Sequence, residues 1–254
     1  MEKTTARGLA NATNLKYATF VRQFQAFAES RGLVHINRVT ISDMDAFYAG
    51  WKDGKKAKAR KLHKLQSFIR FCLRRKWISE DIAQDLEPPE GHSIPANKTP
   101  FTDEELERIF AACDRLGPPT APGRGQRLWG GEDAKDFIYV MLYTGLRIGD
   151  VVSFDVDKRL NGNNIFLRMH KTKKEIYSWI GDWLVDRIQE RRKRLGTKIF
   201  RVGRTESLER QTQVWRIRLG KIFDLAGEFD EPPVPHKFRH TFARILLERG
   251  VLGH

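Results

Sequence analysis

The segment Pro235-His236-Lys237-Phe238-Arg239-His240-Thr241-Phe242-Ala243 places a His-x-x-Arg pair at the start of an amphipathic stretch. Three residues is about one helical turn, so the His236 imidazole and the Arg239 guanidinium stand side by side and can reach one small anion. A second arginine, Arg147, lies in Tyr143-Thr144-Gly145-Leu146-Arg147-Ile148-Gly149-Asp150, at a turn-to-helix junction. Lys171 lies in Met169-His170-Lys171-Thr172-Lys173-Lys174, on what reads as a β-hairpin. These residue types suit phosphodiester chemistry. Breaking such a bond needs an in-line nucleophile, cations around the non-bridging oxygens and an acid for the departing oxygen. A guanidinium binds phosphate oxygens through two parallel hydrogen bonds and stays protonated, so Arg147 and Arg239 fit the cation role. His236, with an ordinary pKa near neutrality, can accept a proton or hydrogen-bond the same phosphate. Each part also has a plainer reading. Arg147 could be a surface arginine paired with Asp150, Lys171 a solvated hairpin tip, His236 a helix-start residue after proline, and His240 a satisfied histidine under the helix.

Composition narrows the partner. A net charge of +14 over 254 residues favours a polyanion, because each phosphate neutralised by Lys or Arg releases condensed counterions. Nucleic acid leads, and a membrane partner is not expected, since no basic amphipathic segment carries enough apolar anchors. A hydrophobic content of 40% builds real cores and excludes a disordered chain. Cys72 and Cys113 form neither a disulfide framework nor zinc-ligand spacing, which suits a reducing cytoplasm. No signal-like or membrane-spanning apolar run occurs, so the expectation is a cytoplasmic protein. No metal-ligand cluster and no phosphate-binding glycine loop is present, and the reading is no metal and no cofactor.

The elements that must position these residues follow from periodicity. Tyr17, Phe20, Val21, Phe24 and Phe27 recur at helical spacing over 13–31, and Ser42-x-x-Asp45 resembles the cap of a second helix through Phe47 and Trp51. Leu62, Leu65, Ile69 and Cys72 stripe a third helix whose opposite face carries Lys56, Arg60, Lys64, Arg70 and Arg74. Eleven Lys and Arg fall between 52 and 76 against one acid, Asp53. A fourth helix is expected from Ser79 to before Pro88-Pro89, making residues 1–88 a four-helix unit. Residues 89–100 form a Pro-rich linker that cannot be helix or central strand. Thr102-Asp103-Glu104-Glu105 opens a new helix as a capping box, and Gly145 ends the apolar helix before Arg147. Alternation of Ile165, Leu167 and Met169 with Phe166, Arg168 and His170 predicts a strand returning through Ile176–Ile180 after a reversal at Thr172–Lys174. Helices are expected at about 182–195, 207–226 and 236–249. The six tryptophans read as packing residues.

The order Thr-Gly-x-Arg, basic hairpin, His-x-x-Arg resembles the tyrosine recombinase (phage integrase) family over about residues 100–250. The resemblance implies a mainly α fold with a small antiparallel β-sheet, in which a SAM-like helical core-binding domain (1–88) and an integrase-type catalytic domain (101–254) close around duplex DNA. It implies strand exchange through a 3′-phosphotyrosyl intermediate without metal or nucleotide, by a homo-oligomer that is a tetramer on DNA in the full-length form. Carried over by residue, it assigns Arg147 with acidic companion Asp150, Lys171 as leaving-group acid, His236, Arg239, and His254 in the closing Gly-His. Within the resemblance the basic face Lys56, Arg60, Lys64, Arg70 and Arg74 contacts the DNA backbone. The family nucleophile has no counterpart: the tyrosines are Tyr17, Tyr48, Tyr139, Tyr143 and Tyr177, all upstream of His236. The sequence therefore reads as a catalytic domain cut short at its C-terminal end. Two other readings are a non-catalytic DNA-binding regulator or decoy and a type IB topoisomerase-like enzyme.

Overall fold

The computed structural model describes residues 11–91, 99–119, 129–168, 175–202 and 207–250. The chain divides into two compact units, Met1–Ala96 and Asn97–His254.

In the first unit the described residues form three α-helices: α1 (Asn11–Ser30), α2 (Ile41–Ala49) and α3 (Lys55–Arg74). Phe20 and Phe24 of α1, Met44 and Phe47 of α2, and Leu62, Leu65, Ile69 and Cys72 of α3 are buried together. Val21 departs from its expected inward face and is exposed. The cap of α2 lies two residues earlier than Ser42-x-x-Asp45: Thr40 accepts the Asp43 N–H (3.2 Å), while Asp43 accepts the Thr40 N–H (2.9 Å). The fourth helix does not form. Among the described residues, 79–88 make turns that still bury Ile82, Ala83 and Leu86. Here the Asp81 carboxylate accepts the Ala83 N–H (3.2 Å), a local bond that competes with helix, and Pro88-Pro89 block its extension.

The α2 cap carries a pH signature. Hydrogen bonds from the Thr40 N–H and hydroxyl, then Arg31, hold the Asp43 carboxyl below its ordinary value of 3.8. A depressed carboxyl stabilises the fold above its unfolded pKa and loses that contribution as pH falls through the folded value. Asp43→Asn should therefore melt below the wild type at pH 7, with the gap closing below about pH 4. Thermal melts at both pH values check this; a gap that persists in acid contradicts it.

Among the described residues the second unit is mostly helical, with a three-stranded antiparallel sheet. Its helices are α4 (Asp103–Leu116), α5 (Gly131–Thr144), α6 (Ile148–Val152), α7 (Val156–Arg159), α8 (Asp182–Leu195), α9 (Leu208–Ala226) and α10 (His236–Glu248). The capping box that opens α4 pairs Thr102 with Glu105, as the spacing predicts. Strands β1 (Leu160–Asn161), β2 (Asn164–Arg168) and β3 (Glu175–Trp179) run in that order across the sheet. Ile165 and Leu167 turn inward, while Phe166 and Arg168 face out opposite Tyr177 and Glu175. The expected reversal at 172–174, with Met169 and His170, lies outside the described residues. The core stacks Phe137 on Trp215, with centroids 3.9 Å apart, beside Phe101, Phe154, Phe200 and Phe238. Trp51, Trp129 and Trp215 are buried, while Trp77, Trp179 and Trp183 are exposed, Trp77 against Phe71 and Trp183 against Tyr139 and Tyr143.

A polar cluster ties α8 to α5. Arg191 donates to the Ile199 carbonyl (2.8 Å) and to Asp133 and Asp136, and Arg187 donates to Asp136 and Glu132 (2.7 Å each). Both cysteines are buried outside any disulfide, and burial pushes the Cys113 thiol up to about 12, far from reactivity. Among the described residues no helix is long and apolar enough to cross a membrane.

Candidate functional site

The site is built where the end of α5 meets the start of α10. Helix α5 stops because Gly145 takes a left-handed conformation (φ 61°, ψ 16°), its N–H closing on the Met141 carbonyl (3.0 Å). Thr144 supports the turn by accepting the Leu146 N–H (3.2 Å). The chain then leaves in extended conformation at Arg147, whose carbonyl accepts the Asp150 N–H (2.8 Å) and starts α6. Space as well as φ requires glycine here, since a Cβ at 145 would lie 2.4 Å from the Phe242 ring of α10. Gly145→Ala should therefore destabilise the protein by roughly 2–4 kcal/mol, combining left-handed strain with overpacking. In a double-mutant melt series, Phe242→Ala added to Gly145→Ala should remove the steric part only; full additivity of the two changes would contradict that contact.

Helix α10 begins at His236, directly after Pro235. His236 is exposed, Arg239 and His240 are half-buried, and the two imidazoles meet edge to face at 4.8 Å. Arg239 reaches across and donates to the Gly145 carbonyl. Its guanidinium is held below the usual arginine range by burial first and by the neighbouring Arg147 second, with Asp150 opposing. Arg147, Asp150 and Arg239 are thus electrostatic neighbours although 89 or more residues separate Arg239 from the other two. Asp150 is 2% exposed and Arg147 half-buried, so the surface-pair reading of these two does not hold. Two guanidiniums near enough to perturb one another, beside one buried carboxylate, carry a net positive charge that attracts an anion with spread negative charge.

Of the other expected site residues, Lys171 and His254 lie outside the described residues. In the first unit, Lys56, Arg60, Arg70 and Arg74 are exposed along one side of α3 and Lys64 is half-buried. Arg70 stands 3.8 Å from Asp81. An open cleft of about 680 Å³ runs beside this face, lined by Lys16, Lys56, Arg60, His63 and Lys64 among others. Among the described residues, no group of three or more His, Cys, Asp and Glu is placed to hold a metal ion.

Sequence reading did not single out Lys237. It is only 6% exposed, its ammonium 3.7 Å from the equally buried Glu105 and 4.8 Å from the Phe101 ring centroid. The signal was present: a residue one place after exposed His236 turns about 100° around the helix, toward the face of Phe238 and Thr241.

Comparison with known proteins gives this pocket its context. The sequence profile of the Phage integrase family matches residues 100–252. The chain is 26% identical to tyrosine recombinase XerD of Bifidobacterium longum, over 98% of this chain and 84% of that one. It shares the fold of lambda integrase in a dimer bound to a COC′ core site, with a TM-score of 0.71 and 17% identity over 98% of this chain and 84% of that one. A lambda integrase tetramer bound to a Holliday junction superposes similarly, with a TM-score of 0.73 and 17% identity over 98% and 70% of the two chains. Since the profile spans more than half of the sequence and takes in both Arg147 and the His236–Arg239 helix, the chain belongs to the phage integrase family of tyrosine recombinases.

Proposed function

We propose that this chain binds duplex DNA and holds a scissile phosphodiester for site-specific recombination by transesterification. The observation that carries the proposal is the convergence of Arg147 and Arg239 through the Gly145 turn. In this reading the two guanidiniums bind the non-bridging oxygens, His236 hydrogen-bonds the same phosphate or accepts a proton, and Lys171 protonates the leaving 5′ oxygen. His254 joins them as the closing Gly-His residue. A tyrosine attacks phosphorus, the P–O5′ bond breaks, and the 3′-phosphotyrosyl link preserves the bond energy for rejoining without ATP. Residues 178–254 contain no tyrosine, so residues 1–254 by themselves bind DNA without cleaving it, and cleavage requires a tyrosine supplied in trans. The first unit, as a core-binding domain over 1–88, holds the DNA backbone through the α3 face, and the second, over 101–254, carries the chemistry. The working assembly is a homo-tetramer on DNA, like the lambda integrase tetramer bound to a Holliday junction, acting in the cytoplasm.

A suicide-nicked duplex tests the reading. Residues 1–254 should shift it on a native gel without a covalent band on a denaturing gel, and a tyrosine-bearing protomer added in trans should produce that band. Failure to shift duplex DNA at low salt rejects the proposal. Relaxation of supercoils without paired target sites would instead favour a type IB topoisomerase activity, and binding with no adduct under any supply of tyrosine a non-catalytic regulator.

The α3 face makes a separate prediction. Replacing Lys56, Arg60, Arg70 and Arg74 together with alanine should weaken binding to all sequences alike and lower the log–log salt slope by about 3–4. Anisotropy titrations at several salt concentrations measure it, and an unchanged slope would take this face off the DNA.

A further inference from the structure

We infer that the buried Lys237–Glu105 pair is a positioning device that sets the rotation of α10, and so aims His236 and Arg239 at the same phosphate. The inference rests on the phosphate reading above but concerns residues that do not touch the phosphate.

Lys237, Thr241, Arg244 and Glu248 follow one another at intervals of four, three and four, so they form one stripe along α10. That stripe faces the start of α4. The Lys237 ammonium pairs with the Glu105 carboxylate at 3.7 Å, both side chains being at least nine-tenths buried. Thr241 accepts the Phe101 N–H (2.9 Å) and donates to the Lys237 carbonyl (2.9 Å). Arg244 pairs with Asp103 at the surface. Glu105 is itself pinned, since its carboxylate accepts the Thr102 N–H (3.0 Å) in the α4 capping box. The first turn of α10 is therefore fastened to the first turn of α4 by directional polar contacts, while His236, Arg239 and His240 occupy another side of the helix.

A purely stabilising role fits poorly. Around this pair lie Phe101 and Phe238, with ring centroids 4.8 Å apart, and a buried ion pair is commonly no more stabilising than apolar side chains of like volume. What it adds is direction. Packing of phenylalanines alone tolerates small rotations, and a rotation of about 20° at the roughly 6 Å radius of a helix with its side chains moves a group by about 2 Å. A shift of that size is enough to spoil convergence of two donors on one phosphate. Lys237 is thus a positioning residue, acting through the helix that carries His236 and Arg239.

The test separates aim from stability with inorganic phosphate as the probe, titrated into isotopically labelled protein while the imidazole signal of His236 and the Nε–H signal of Arg239 are followed by NMR. Three proteins are compared by titration and by thermal melting: wild type, Lys237→Met/Glu105→Gln, and Lys237→Arg. The double variant removes both charges while leaving an acceptor for the Thr102 N–H. It is expected to melt near the wild type yet bind phosphate about tenfold or more weakly, with the two signals no longer moving together. Lys237→Arg, which keeps the charge, should recover most of the affinity. A folded double variant with wild-type phosphate affinity overturns the inference and leaves the phosphate reading standing. Absence of any phosphate response in the wild type overturns both. If the double variant does not fold, Glu105→Gln alone decides: weaker phosphate binding with an unchanged melt supports positioning, and unchanged binding rejects it.

Discussion

Replacing Arg239 with alanine is expected to slow cleavage of a suicide-nicked duplex about a hundredfold, the rate equivalent of the roughly 3 kcal/mol that one preorganised transition-state donor contributes. The quantity to measure is the single-turnover rate of covalent adduct formation, with a tyrosine-bearing protomer supplying the nucleophile. Arg239 is half-buried, anchored by its bond to the Gly145 carbonyl and set beside Arg147. Its donors are therefore held in place before any phosphate arrives, and no solvent reorganisation is needed as charge develops. Burial and Arg147 lower its pKa, but a guanidinium in a protein stays protonated at neutral pH. Lysine at this position keeps the charge and loses the planar fork, so Arg239→Lys should fall between alanine and wild type. A rate for Arg239→Ala within about threefold of wild type would show that Arg239 does not bind the reacting phosphate.

Arg191→Ala is the largest expected loss of stability, about 3–5 kcal/mol, or roughly 10 °C in the melting temperature of a unit of this size. Arg191 is 4% exposed and holds two carboxylates of α5, Asp133 and Asp136, which are 15% and 10% exposed. Removing it leaves both negative charges in the interior with fewer donors. Burial already pushes the Asp136 carboxyl above its ordinary value, with Arg187 and Arg191 opposing that rise, so loss of Arg191 pushes it further. Its ionised form then costs stability at neutral pH, and the deficit should shrink as the solution is acidified through the raised pKa. Melts of Arg191→Ala and wild type at pH 7 and pH 5 measure this. A change of under about 1 kcal/mol would place the cluster among the weak surface pairs. Because α5 ends in the Gly145 turn, a mobile α5 would also loosen the presentation of Arg147.

Where local chemistry decides structure, the sequence was readable. The Thr102–Glu105 capping box, the glycine stop at 145, the inward alternation of Ile165 and Leu167 and the start of α10 after Pro235 each depend on residues within one or two turns. Errors came where neighbours compete. Residues 79–88 carry a helix-like apolar pattern, but Asp81 caps a turn instead, and their buried side chains pack without a helix. Strand β1 has no legible pattern because it holds only two residues, although Gly162-Asn163 between Asn161 and Asn164 is a recognisable hairpin loop.

For the site, spacing alone determined that His236 and Arg239 are neighbours, because the helical repeat dictates it. It also determined that Arg147 follows a helix ended by glycine, at a turn-to-helix junction. Only the tertiary structure decided that Arg239 comes to the turn that precedes Arg147, since nothing local relates residues 147 and 239: α10 packs on α5, and Arg239 reaches the carbonyl of the glycine that ends it. The same holds for Lys237. A lysine between two site residues reads from sequence as one more surface cation, and it becomes a buried partner of Glu105 only because α10 presents that face to α4. Periodicity tells which side chains share a helix face; which face turns inward is settled by the summed burial of the whole unit, a long-range quantity that no short stretch of sequence contains.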